Sequence, residues 1–129
     1  MKKSLLFLTC LSVFALSISG CQNSSTKKIE NTTNIVIGYG FNSYAAMITD
    51  QEEIKQLEDA FNEAEFAESD SSIQQPYLII TFYCKKGTTS FYVDENDVIK
   101  LKDGSYKKSK QINFKRLYSI YNEYLSSKK

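Results

Sequence analysis

The sequence contains no histidine and no tryptophan, and only one proline. Without histidine there is no Ser-His or Cys-His pair for nucleophilic catalysis and no imidazole metal site. Glycine is also scarce, with five residues in the chain, and no glycine-rich loop has the spacing that cradles phosphates. These absences exclude common enzyme designs, so we expect a protein that is not an enzyme, binds no metal and uses no cofactor.

An excess of charge of one sign is also missing. The chain has 16 basic and 15 acidic residues, which gives a formal net charge of +1. Nucleic-acid-binding domains normally carry a strong, clustered basic excess. We therefore expect no nucleic-acid partner.

The N-terminus has the pattern of a secretory signal. A basic start, Met1-Lys2-Lys3, is followed by an apolar run that ends in the small residues Ser19 and Gly20. The run is shorter than the about 20 apolar residues that a transmembrane helix needs. A basic start, an apolar middle and a small-residue end are typical of a cleaved signal peptide, which we predict over residues 1–20.

The end of this segment, Ile18-Ser19-Gly20-Cys21, resembles the lipobox of bacterial lipoproteins. The resemblance implies signal cleavage after Gly20 and a diacylglyceryl group on Cys21, whose fatty-acyl chains (palmitate, for example) hold the protein on the extracytoplasmic face of the cell membrane. Two acyl chains give stable anchoring where one is marginal. The alternative is an ordinary secretory signal in which Cys21 is a stray thiol.

The remaining 109 residues divide at a change in composition. Residues 21–33 comprise the lipidated cysteine and a polar stretch with too few large apolar side chains to fold, so we predict a flexible tether. Residues 34–129 are predicted to form a single globular domain. Cys84 is its only cysteine and has no internal disulfide partner, so we expect a buried structural thiol.

Hydrophobic periodicity predicts an α+β fold. Alternating residues indicate a strand from about Asn34, a weaker strand over 44–48, a strong strand over 77–84, and two returning strands over 90–93 and 98–102. Helical spacing indicates one helix after a cap at Thr49 or Asp50 and a second helix that begins near Gln111 or Ile112. The order β(β)αβββα favours an antiparallel sheet of four to five strands with two helices packed on one face.

From Ile35 onward the chain also resembles small lipoprotein domains of low-GC Gram-positive bacteria, which place a Gly-x-Tyr after a meander strand. Here that motif is Gly104-Ser105-Tyr106. The preference for lysine, with Arg116 as the only arginine, is typical of the same bacteria. The resemblance implies no activity.

Four side chains are candidates for an interaction surface: Tyr77, Ile79, Tyr83 and Tyr92. The first three share one face of the strong strand and Tyr92 lies on its predicted neighbour. If both helices cover the opposite face, these residues form an open aromatic surface of the kind that binds proteins. If both faces are covered, the tyrosines only surround the core.

A second candidate is a lysine-rich hairpin around Asp103-Gly104, which contains Lys100, Lys102, Lys107, Lys108 and Lys110. Such a cluster could contact anionic lipid or an anionic wall polymer. The alternative is that it forms an ordinary solvated face, attracted within the fold to the acidic segment 50–70.

Carboxylates give a third possibility. Glu52, Glu53, Glu58 and Asp59 could in principle support hydrolysis, but helical spacing favours a solvated helix face. The segment Asp94-Glu95-Asn96-Asp97 is better read as a turn than as a calcium loop, because Val98, Ile99 and Ser105 stand where ligands and a glycine are needed.

These observations lead us to expect a membrane-anchored lipoprotein with a non-enzymatic binding domain, whose partner is an envelope protein. The alternative function is a membrane-surface or wall-polymer contact module that uses the lysine-rich hairpin. A hydrolase that uses carboxylates is the third and least favoured hypothesis.

Overall fold

The computed structural model describes residues 28–40 and 42–126. The predicted signal peptide, the lipobox with Cys21 and most of the predicted tether lie outside the described residues. No helix within the described ranges is long and apolar enough to span a membrane.

The domain consists of one seven-stranded sheet and two helices. In chain order the elements are β1 (Thr32–Tyr39), β2 (Ala45–Ile48), α1 (Gln51–Glu63), β3 (Ala67–Glu68), β4 (Tyr77–Cys84), β5 (Gly87–Asp94), β6 (Ile99–Lys100), β7 (Tyr106–Lys108) and α2 (Phe114–Ser126). The spatial order is β2-β1-β4-β5-β6-β7-β3, and every neighbouring pair is antiparallel. The predicted α+β class with two helices and an antiparallel sheet is confirmed.

The predicted number of strands was wrong. Five strands lie where strands were expected, but β3 and β7 were not predicted, so the order β(β)αβββα lacks two elements. Both additional strands are short and pair with each other at one edge of the sheet, where Ala67 is opposite Lys108 and Glu68 is opposite Lys107. Strands of two or three residues are too short to show an alternation, so only their partners define them.

The core lies on one face of the sheet. Side chains at alternate positions of the central strands, including Ile35, Ile37, Ile80, Phe82 and Val93, are fully buried. They form one cluster with Ile54, Leu57 and Phe61 of α1 and with Leu117, Ile120 and Tyr121 of α2. Because both helices contribute to this one cluster, they pack on the same face.

The start of α1 distinguishes between the two predicted caps. Asp50 is the N-cap, and its carboxylate accepts hydrogen bonds from the backbone N–H groups of Glu52, at 2.9 Å, and Glu53, at 3.2 Å. These bonds satisfy two donors that a helix start leaves without a partner. Asp50 is therefore the cap of the helix, and Thr49 lies one residue too early.

The folded region begins earlier than the predicted boundary at residue 34. β1 starts at Thr32, and Ile29 is buried with 5% of its surface exposed. The side-chain amide of Asn62, on α1, pairs with the backbone of Ile29: the Ile29 N–H donates to Oδ1 at 2.8 Å, and Nδ2 donates to the Ile29 carbonyl at 2.7 Å. One buried isoleucine in a polar stretch has no periodicity, so composition alone did not reveal this contact.

Candidate functional site

The side of the sheet opposite the helices is here called the outer face. Its positions alternate with the buried ones along the strands: Asn34, Val36 and Gly38 of β1, Met47 of β2, Tyr77, Ile79, Thr81 and Tyr83 of β4, and Thr88, Ser90 and Tyr92 of β5. Each of these residues is half-buried or exposed, whereas the inward residues of the same strands are largely buried. Neither helix packs on this face. At one end, opposite Tyr77, Asp94 is buried beside the loop before β4, where the Gln74 N–H donates to its carboxylate.

Three of the four predicted surface residues lie together. Ile79 is directly opposite Tyr92 in the β4–β5 register, and the rings of Tyr77 and Tyr92 meet edge to face with centroids 5.6 Å apart. Such an aromatic pair holds both rings in place and leaves little side-chain entropy to lose on binding. These three residues form a preorganised aromatic cluster.

Tyr83 lies on the same face but apart from that cluster. It is opposite Asn34 and Thr88 near the other end of β4, and 40% of its surface is exposed. Between it and the cluster, the hydroxyls of Thr81 and Ser90 are hydrogen-bonded at 3.0 Å. The predicted surface is therefore one face with two aromatic areas separated by a polar pair.

The apolar surface of the outer face also includes Val36 and Met47, which were not predicted. Val36 is opposite both Met47 and Thr81, and 44% of the Met47 surface is exposed. The alternation of β1 already placed Val36 across the strand from the core residues and was a usable signal. Met47 could not be found, because the short strand β2 was only weakly predicted.

Two glycines of the β1 segment have different environments. A Cβ at Gly38 would meet nothing within 4 Å, so the outer face has open space beside Ile79. A Cβ at Gly40 would approach the Tyr77 carbonyl at 3.2 Å, and the Gly40 N–H donates to that carbonyl at 2.9 Å. Another backbone therefore approaches closely at Gly40.

The charge bordering the aromatic cluster is positive. Lys100, opposite Tyr92 on β6, places its ammonium group 5.6 Å from the centre of the Tyr92 ring. Apart from Asp94, which is opposite Tyr77 but is only 1% exposed, the outer-face positions of β1, β2, β4 and β5 carry no carboxylate. A partner that places an apolar patch on the cluster and an acidic group beside Lys100 would match this surface in both polarity and charge.

The lysine-rich hairpin does not form one continuous patch. Lys107 is ion-paired with Glu68 across the β7–β3 pair, and Lys100 lies against Tyr92. Lys102 lies in the β6–β7 turn, whereas Lys108 and Lys110 line a groove elsewhere. The Glu68–Lys107 pair is the attraction between the acidic and basic segments that the alternative interpretation expected.

That groove has a volume of about 1030 Å³ and lies between the 94–97 turn, β3, the segment after β7 and the start of α2. Its charged lining is mixed and contains the basic residues Lys108, Lys110 and Lys115 and the acidic residues Glu65, Glu95 and Asp97. Asp97 is already engaged, since its carboxylate accepts the Phe114 N–H at 2.8 Å. The groove therefore shows no preference for a ligand of one charge.

The segment Asp94-Glu95-Asn96-Asp97 forms a turn, as the spacing favoured. The Asp94 side chain is 1% exposed and accepts three backbone N–H groups, from Gln74, Asn96 and Val98, at 3.0, 2.9 and 3.0 Å. Its two oxygens are thus used for structure. In the part of the chain that the structure describes, no cluster of three or more potential metal-ligating side chains occurs.

The candidate acid–base carboxylates Glu52, Glu53, Glu58 and Asp59 lie on α1 and are exposed or half-exposed. Shifted pKa values occur elsewhere: burial raises the pKa of Tyr39 and of Tyr124, and the hydrogen bonds from Ser105 lower the pKa of the Asp103 carboxyl. These three groups are on β1, α2 and the β6–β7 turn.

Cys84 is half-buried rather than fully buried. Its sulfur lies 3.6 Å from the Thr32 hydroxyl, at the end of β4. The thiol therefore packs at the border of the core, close to the expected structural position.

Comparison with protein families, curated proteins and solved structures gave no match. The function of the chain has to be inferred from its own residues.

Proposed function

We propose that this protein is a lipid-anchored lipoprotein of the cell envelope whose domain is a non-enzymatic binding module. Cleavage after Gly20 and acylation of Cys21 would hold it on the extracytoplasmic side of the cell membrane. The supporting observation for binding is the asymmetry of the sheet: one face is buried under both helices, and the outer face is left open among the described residues.

The partner that fits the outer face best is another envelope protein. The cluster of Tyr77, Ile79 and Tyr92 has the aromatic character of interface hot spots, and the exposed Met47 extends its apolar area. Lys100 adds one positive charge at its border. A protein surface with an apolar centre and an acidic rim would satisfy both features.

The test is a pull-down with the full-length protein, extracted in mild detergent, as bait for envelope proteins of the source organism. We expect one protein to be retained at low and moderate salt, and Tyr92→Ala to weaken its affinity by about 30-fold, the loss typical of a hot-spot residue of about 2 kcal/mol. Tyr44→Ala is the matched control, because 68% of Tyr44 is exposed and it lies outside the outer face.

Three results would contradict the proposal. The first is that no protein is retained. The second is that Tyr44→Ala weakens retention as much as Tyr92→Ala does. The third is that material binds only at low salt and is lost when Lys102, Lys108 and Lys110 are replaced by glutamine. The last result would indicate instead a module that contacts anionic polymer or lipid.

Anchoring is tested by Cys21→Ala. Without the thiol no diacylglyceryl group can be attached, so we expect the protein to move from the membrane fraction to the soluble fraction. Cys84→Ala, which removes the thiol of the domain, should leave the protein in the membrane fraction. Membrane association of Cys21→Ala equal to that of the unaltered protein would refute the lipid anchor.

A further inference from the structure

The position at which the chain enters the folded domain is well defined. Ile29 is buried, and Asn62 holds both its N–H and its carbonyl at 2.8 and 2.7 Å. A buried residue whose two backbone groups are paired with a helix side chain is a fixed point of the fold. Any constraint from an anchor at Cys21 is therefore transmitted to the domain at Ile29.

This fixed point lies at one end of the sheet. Thr32, three residues later, is opposite Cys84, and the Lys85 N–H donates to the Asn31 carbonyl at 3.3 Å. The β4–β5 hairpin therefore lies beside the entering chain. We call this part of the domain, residues 28–31 and 85–86, the anchor end.

The anchor end presents lysines to solvent. Lys28, Lys85 and Lys86 are all exposed. β6 is antiparallel to β5, with Ile99 opposite Val93 and Lys100 opposite Tyr92, so β6 runs toward the Gly87 end of β5. The β6–β7 turn, which contains Lys102, therefore extends toward the anchor end. Nearby carboxylates, Glu30 and Glu63, reduce the net positive charge, so the lysines by themselves do not determine an orientation.

The length of the connection favours one orientation of the domain. Seven residues, 22–28, separate Cys21 from Ile29. Whatever conformation they adopt, the connection from Cys21 to Ile29 spans at most about 28 Å. The strands add a second length, since the eight residues of β4 extend over about 26 Å. To bring the far end of the sheet to the bilayer, the connection would have to run almost fully extended along the whole domain.

We propose that the anchor end faces the membrane, with Lys28, Lys85 and Lys86 at the level of the phospholipid headgroups. The sheet then stands upright, with Tyr83 nearer the bilayer and Tyr77 farther from it, and the outer face is open sideways. A partner of the outer face must therefore reach within a few tens of ångströms of the same bilayer, as another anchored protein or a membrane-protein ectodomain does. This inference rests on the proposed acylation of Cys21.

The test uses the full-length protein, acylated in a bacterial host and studied in its membranes, with the photo-crosslinking residue p-benzoylphenylalanine at one position. Lys86 and Lys110 are a matched pair, because both are exposed lysines and Lys110 lines the groove beside the 94–97 turn, at the far end of β5. We expect crosslinking to phospholipid to be at least about fivefold greater from position 86, since contact falls steeply with distance from the anchor.

A second variant identifies the cause. A Gly-Ser insertion of about 20 residues between Ser25 and Thr26 lengthens the connection and should lower the yield at position 86 toward that at position 110, while the protein stays in the membrane fraction. Equal yields at the two positions in the unaltered protein, or a yield at position 86 that the insertion leaves unchanged, would overturn the proposal.

The outcomes separate this inference from the proposed function. A protein that never enters the membrane fraction refutes the anchor itself. A protein in the membrane fraction with no difference between positions 86 and 110 refutes only the orientation. The pull-down with Tyr92→Ala tests the binding module independently of both.

Discussion

Replacing Asp94 by alanine is expected to lower the free energy of unfolding by about 3 kcal/mol, because three backbone donors lose their acceptor. Two of these donors, Asn96 and Val98, belong to the turn after β5, and Val98 is 1% exposed, so water cannot replace the lost acceptor there. The third, Gln74, belongs to the loop before β4. The Asp94 carboxylate thus connects two segments that are 20 residues apart.

The measurement is chemical denaturation of Asp94→Ala and Asp94→Asn beside the unaltered protein. Asp94→Asn should be the milder change. The amide oxygen can still accept the N–H groups that one carboxylate oxygen accepted, whereas the NH₂ group, which replaces the other oxygen, cannot accept a backbone N–H. Asp103→Ala is the control: Asp103 accepts the Ser105 N–H at 2.9 Å in a similar turn but is exposed, and we expect a far smaller loss. Equal losses at Asp94 and Asp103 would show that the buried carboxylate has no special role.

Phe82→Ala should lower the free energy of unfolding by about 3–5 kcal/mol, the range for replacing a buried phenylalanine by alanine. The Phe82 ring is fully buried and meets the rings of Phe61 and Phe91 at centroid distances of 5.1 and 6.0 Å. Its removal opens a cavity between β4, β5 and α1 that their backbones can close only in part.

Tyr83→Ala is the matched variant for this prediction, since residues 82 and 83 are adjacent on β4 but face opposite sides of the sheet. Because 40% of Tyr83 is exposed, we expect a loss of about 1 kcal/mol or less. If denaturation shows that Phe82→Ala lowers the free energy of unfolding at least about three times as much as Tyr83→Ala, the result supports helices on one face only. Comparable losses would mean that the outer face is also covered in the native protein.

The candidate surface could be predicted in part, for a physical reason. Side chains alternate across a strand, so the sequence places Tyr77, Ile79 and Tyr83 on the face opposite Leu78, Ile80 and Phe82. Alternation does not specify which face the helices cover, and it says nothing about residues on other strands. The edge-to-face contact of Tyr77 with Tyr92 and the addition of Met47 both depend on strand register.

The lysine-rich hairpin shows the opposite outcome. Neighbours in sequence suggested one basic patch, but pairing of β7 with β3 joins Lys107 to Glu68, and the register of β6 places Lys100 against Tyr92. Proximity along the chain is a poor guide to a surface patch, because successive side chains of a strand point to opposite faces of the sheet.

The sequence by itself determined the properties that depend on residue type and short-range period: the absence of imidazole chemistry, the α+β class, the two amphipathic helices and the division of each long strand into two faces. Only the tertiary structure decided that both helices cover the same face, that β3 and β7 exist, and that Ile29 is held by Asn62. The reason is the distance along the chain: the two helices, the β3–β7 pair and the Ile29–Asn62 contact each join groups more than 30 residues apart. No local propensity specifies which distant group supplies such a contact.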